Sequence, residues 1–141
     1  MIETTTPTLE IATDKVCFIA VKAREFDVKD VLTDPDDGSN PTDDGMVSVL
    51  EDNPDDPVRQ ELVAFIGALD FDEQVDLVTL AWMGRGDGTI DDWNELRAEA
   101  ARVHNNRVAR YLLGLPLLPS YLQDGLAEFG LSCVQFEEEN L

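Results

Sequence analysis

Apolar residues recur at helical spacing through most of the chain, and polar caps divide them into separate segments. Thr13 can cap a first helix carrying Val16, Ile19, Ala20, Ala23 and Phe26 on one face. The run Val16 to Val21 is apolar all round, so a short buried strand competes there. The Ala-rich continuation with its Lys, Arg and Glu favours the helix. Asp56 followed by Pro57 marks a second start, because proline at the first helical position loses no hydrogen bond. Val58, Leu62, Phe65, Ile66 and Leu69 then form one stripe. Asp70 and Glu73 have the spacing of a capping box, ahead of a stripe of Phe71, Val75, Val78 and Trp82 widened by Leu77 and Ala81.

Gly84, Gly86 and Gly88 punctuate that helix, and Thr89 with Asp92 opens another through Ile90, Trp93, Leu96, Ala100 and Val103. This period either continues to Tyr111 and Leu112 or breaks at Asn105 and Asn106; Gly114 ends it in both cases. A last helix carries Leu118, Tyr121, Leu122, Leu126 and Phe129, with Gly130 as a left-handed cap. The expected fold is all-α, a compact bundle of five to six short helices in a single domain spanning 1–141. Its helical core is expected at 57–130, followed by a frayed acidic tail at 131–141. Trp82 and Trp93 flank the glycine loop and are expected to pack near one another.

Residues 33–56 break the pattern. They hold nine acids, three prolines, two glycines and no base, and read as an acidic loop with a short turn at 46–50. The whole chain has 30 acidic and 10 basic side chains, a formal charge of −20 over 141 residues. Such a charge repels phosphate backbones and anionic membranes, so direct nucleic-acid binding and membrane association are not expected. It fits a salty habitat, a protein-binding surface, or mimicry of a nucleic acid by ranked carboxylates. No apolar run reaches the length of a membrane span, and Met1 to Glu10 has neither a basic nor an apolar signal region, so the expected location is cytoplasmic. Cys17 reads as a small core residue and Cys133 lies near the tail. With no CxxC pair, neither a disulfide framework nor a thiolate metal site is expected.

Asp87-Gly88-Thr89-Ile90-Asp91 resembles half of a calcium-binding loop, but the register fails. With Gly88 at the sixth position, Met83 holds the first, Arg85 the third and Asn94 the twelfth, where carboxylates are required. A glycine stop followed by a threonine cap accounts for each residue. Arg85 and Asp87 sit on this loop, and Arg85 is either a guanidinium offered to a partner or an ion pair with a nearby acid. Arg97, Arg102, His104, Arg107 and Arg110 place four of the ten bases within fourteen residues. They either form an anion or partner site or pair with acids from neighbouring helices. If they form a site, Trp93, His104, Arg107 and Tyr111 should converge on a concave pocket. His104 is the only histidine, so no two-histidine metal site or mechanism is available, and no cofactor is expected. Carboxylate pairs such as Asp91/Glu95 and Asp72/Asp76 are read as solvated helix faces. No nucleophile, Walker or Rossmann motif appears, and nothing positively supports an enzyme.

Four stretches carry a resemblance. They are Ala23-Arg24-Glu25-Phe26-Asp27, Asn40-Pro41-Thr42-Asp43-Asp44-Gly45, Ala81-Trp82-Met83-Gly84-Arg85-Gly86 and Tyr111-Leu112-Leu113-Gly114-Leu115-Pro116-Leu117-Leu118. Together they resemble the family of small bacterial proteins known as domain of unknown function 3775, over nearly the whole chain. Leu115 departs from a small polar residue common in that family. The resemblance implies a bacterial, cytosolic, single-domain protein and brings no activity, cofactor or catalytic residue. The reading favoured by the sequence is a non-enzymatic protein-interaction or regulatory module. Its candidate surfaces are the acidic loop and the Arg85 loop, with Trp82 beside it. The alternatives are a small-ligand protein or enzyme using the Arg97–Arg110 cluster, and an acidic nucleic-acid mimic.

Overall fold

The computed structural model describes residues 7–33 and 56–140. Seven α-helices lie among them: α1 Thr13–Thr33, α2 Pro57–Ala68, α3 Phe71–Arg85, α4 Trp93–Val103, α5 Val108–Leu113, α6 Leu118–Glu128 and α7 Val134–Asn140. A single 3₁₀ turn, Ile90–Asp92, precedes α4, and no strand occurs among the described residues. Of the two alternatives at Asn105-Asn106 the break is the one found, separating α4 from α5 and giving the upper count of six. The seventh helix, α7, lies in the segment expected to be a frayed tail. The acidic stretch 33–56 lies outside the described residues, except that Thr33 ends α1 and Asp56 caps α2.

Three of the four N-terminal caps read from the sequence are found, at Asp56, Asp70 and Thr89; Thr13 instead lies inside α1 as its first residue. The Asp56 carboxylate accepts from the Val58 and Arg59 backbone N–H groups, satisfying donors that have no partner inside α2. At α3, Asp70 accepts from the Glu73 N–H while Glu73 accepts from the Asp70 N–H. Gly86 closes α3 at φ 106°, a left-handed conformation that costs other residues about 1 kcal/mol or more. Gly130 does the same after α6, at φ 74°.

Helix α3 is the central element. Its Val75, Leu77, Val78, Leu80, Ala81 and Met83 are buried, and its most extensive partner is α6. Two glycines let these backbones meet. A Cβ on Gly84 would lie 1.8 Å from the Tyr121 carbonyl oxygen, and one on Gly125 would lie 2.5 Å from that of Leu80. Helix α1 adds Val16, Ile19, Ala20 and Ala23 to the core, and α2 adds Leu62 and Ile66. Trp93 is buried against Phe129, ring centroids 4.9 Å apart and perpendicular, so it does not pair with Trp82. Phe71, placed on the core stripe by its spacing, is 48% exposed and meets the His104 ring edge-on at 4.7 Å.

Two further expectations are corrected. Cys17 and Cys133 are joined in a disulfide, with Cα atoms 5.5 Å apart. The two lie 116 residues apart in sequence, and only the packing of the C-terminal segment against α1 brings them together. Asp76 is not on a solvated face but wholly buried. It accepts from Arg97 Nε at 2.6 Å, from the Ile11 N–H at 3.3 Å and from the Glu10 N–H. A buried carboxylate is tolerated only with such partners. Here they strap the N-terminal segment and α4 to α3. No described side-chain polar atom is buried without a hydrogen-bond partner. No helix of the described residues is long and apolar enough to cross a membrane.

Candidate functional site

The break between α4 and α5 opens a cavity of about 490 Å³, within the roughly 300–1,000 Å³ usual for small-molecule sites. Helix α3 contributes Val75, Val78 and Trp82 to its wall; α4 contributes Ala100 and Val103. The linker supplies His104, Asn105 and Arg107, and α5 supplies Val108, Arg110 and Tyr111. The buried Val75, Val78, Ala100 and Val108 thus form the floor, and the exposed Val103 joins the aromatic and polar groups at the rim.

The linker conformation follows from its residues. His104 leaves the helical region at ψ 140° and ends α4. Its Nε2 lies 2.7 Å from Gln74 Oε1. The Gln74 amide nitrogen donates to the Ile66 carbonyl, so its oxygen faces the histidine and Nε2 carries the proton. The Asn105 side-chain oxygen accepts from the Arg107 N–H at 2.7 Å, turning the chain into α5. Trp82 Nε1 donates to the Tyr111 hydroxyl at 2.8 Å across the rim.

The arginines, clustered in sequence, separate in space. Arg97 spans Asp76 and Asp72; burial disfavours its charge, but those carboxylates outweigh burial and raise its pKa above the ordinary value. Arg102 pairs with Glu99 on the surface. Arg85 donates to Asp87, the ion-pair alternative anticipated for it. That hydrogen bond above all, with a lesser contribution from the nearby Tyr111 oxygen, raises its pKa despite partial burial. Arg107 and Arg110, by contrast, meet no described carboxylate at ion-pair distance and line the cavity.

Of the group expected to converge, His104, Arg107 and Tyr111 do so, joined by Trp82 and Arg110; Trp93 lies in the core instead. Because the helix breaks at Asn105-Asn106, Arg97 and His104 do not share one continuous helix face with Val108. Sequence reasoning missed the apolar floor. Val75, Val78 and Ala100 carry the same periodic signal as other core residues, and only the gap between helices distinguishes them. No cluster of three or more His, Cys, Asp or Glu residues able to hold a metal occurs among the described residues.

Fold and site together define a small all-α protein with an apolar, arginine-rimmed pocket. The chain belongs to the family described as Protein of unknown function (DUF3775), whose model matches residues 59–131 and so includes every residue of the pocket. No curated protein and no solved structure matches the chain.

Proposed function

We propose that the protein is a non-enzymatic binding module and that the α3–α4–α5 pocket is its working surface. The carrying observation is the contrast among its cations. Lys15, Lys22, Arg24, Arg85, Arg97 and Arg102 each pair with a carboxylate, whereas Arg107 and Arg110, like Arg59, meet none among the described residues, and these two alone of the three line the apolar cavity. In a chain of charge −20 carboxylates are abundant, and two guanidinium groups on one cavity without a described carboxylate are available to a partner from outside. The Arg85 loop is the weaker candidate, because Arg85 is already held by Asp87.

A cytoplasmic, bacterial protein remains the accompanying proposal. Stable disulfides belong mainly to oxidising surroundings. A cytoplasmic location therefore requires the Cys17–Cys133 bond to be sheltered from reductants. Burial supports that, since the two residues are 0% and 4% exposed.

The test is capture from native lysate with mass-spectrometric identification of bound proteins and small molecules. Val103→Glu places a carboxylate on the pocket wall at a position 45% exposed, so it should cost less than about 1 kcal/mol of stability. A molecule held by wild type and lost by Val103→Glu, with similar melting of both, supports the pocket. Equal retention by the variant overturns it, and loss with Arg85→Gln alone moves the site to the glycine loop.

A further inference from the structure

We infer that the pocket takes a small anionic amphiphile, an apolar chain or ring ending in one carboxylate, with Arg107 and Arg110 holding the anionic end. This rests on the binding reading above and specifies its ligand.

The polar groups at the mouth supply the selectivity. The Tyr111 oxygen already accepts from Trp82 Nε1. The Asn105 oxygen already accepts from the Arg107 N–H. The His104 Nε2 proton is committed to Gln74. Among the described side chains at the mouth, the uncommitted donors are the guanidinium groups of Arg107 and Arg110 and the Asn105 amide nitrogen, against the single ring acceptor His104 Nδ1. A rim dominated by spare donors, two of them cationic, selects a ligand rich in acceptors, and charge makes the carboxylate the best of these.

The valine and alanine floor requires the rest of the ligand to be apolar, because burying further polar groups there would leave them unpaired. The net charge sets the upper limit on ligand charge. A chain at −20 repels a polyanion over its whole surface, while a single carboxylate is held by contacts at close range. A monoanion with an apolar body meets all three conditions. A nucleic acid, a polyphosphate and a simple small anion each fail at least one.

The experiment titrates the intact protein with decanoate, decanol and acetate, each as a dispersed monomer, at near-physiological salt. Binding is read from the indole N–H resonance of Trp82, whose hydrogen bond lies on the rim. Decanoate should shift that resonance saturably. Decanol should bind at least about tenfold more weakly, as loss of a charge-assisted hydrogen bond implies, and acetate should produce no saturable shift. The double variant Arg107→Gln/Arg110→Gln should bring decanoate down to the affinity of decanol and leave decanol within about twofold. Arg59, also without an ion pair among the described residues but outside the cavity, provides the control; Arg59→Gln should leave decanoate binding unchanged.

Equal affinity for decanoate and decanol overturns the anionic assignment while leaving a functioning apolar pocket. An unaffected double variant overturns the assigned residues. No saturable shift with any probe overturns the ligand class. A molecule captured by wild type and lost in Val103→Glu would then still uphold the pocket, so the two readings fail separately.

Discussion

Helix α3 has two sides with opposite treatment. Toward α6, Gly84 and Gly125 bring backbones into direct contact, and nothing larger than hydrogen fits. Toward α4 and α5, Val75, Val78 and Trp82 face a cavity of about 490 Å³. The first side is held by close packing with its polar groups satisfied. The second leaves Trp82, Val103 and Tyr111 partly or largely exposed, beside two guanidinium groups that meet no described carboxylate. Apolar area left open forgoes stabilisation of roughly 25 cal/mol per Å² that closure would supply. The contrast separates what holds the fold together from what is available for binding.

The largest effect should come from the closed side. Gly84→Val would drive a side chain into the Tyr121 backbone, which cannot rotate away, and is expected to abolish the cooperative thermal transition seen by circular dichroism. A normal melt would show that the α3–α6 crossing tolerates separation. Next comes Asp76→Ala, which leaves Arg97 with Asp72 alone and removes the buried acceptor of the Glu10 and Ile11 N–H groups. It should cost about 3–5 kcal/mol in urea unfolding. Reduction of Cys17–Cys133 should follow at about 2–4 kcal/mol, because the bond closes a loop of more than a hundred residues in the unfolded chain. Unfolding with and without a dithiol measures it.

A smaller, pH-dependent effect is expected at Glu73. Its hydrogen bond to Lys15, and then the Asp70 N–H, lower its pKa in the folded protein. Stability from these contacts is therefore present above the carboxyl value of the unfolded chain and lost as pH falls through the lower folded value. The difference between wild type and Glu73→Gln should be about 1 kcal/mol at neutral pH and shrink on acidification. A gap that widens in acid would contradict the assignment. On the open side, Arg107→Gln/Arg110→Gln should change stability by less than about 0.5 kcal/mol, since neither side chain has an ion pair among the described residues to lose. A cost above 2 kcal/mol would mean that these arginines hold the fold.

What was legible depended on how local the physics was. Caps at Asp56, Asp70 and Thr89, the left-handed glycines and the helical stripes each arise within a few residues, and sequence reading located them. The candidate site was half legible. His104, Arg107 and Tyr111 were read as converging because they fall within one turn or two of each other. Trp93 was misplaced because periodicity cannot say which neighbour a buried ring meets. Arg97 was grouped with the pocket arginines by proximity along the chain, while its partner Asp76 lies 21 residues away on another helix.

By itself, then, the sequence determined the helical class, most element boundaries, the charge that repels polyanions, and the family. The tertiary structure decided that Cys17 meets Cys133, that Asp76 is buried among donors, that the tail holds a helix, and that a gap remains beside α3. These outcomes depend on distances between residues far apart in the chain. Helix propensity and capping act across a turn or so, whereas a disulfide, a buried ion pair or a cavity exists only after helices have packed at particular angles and separations.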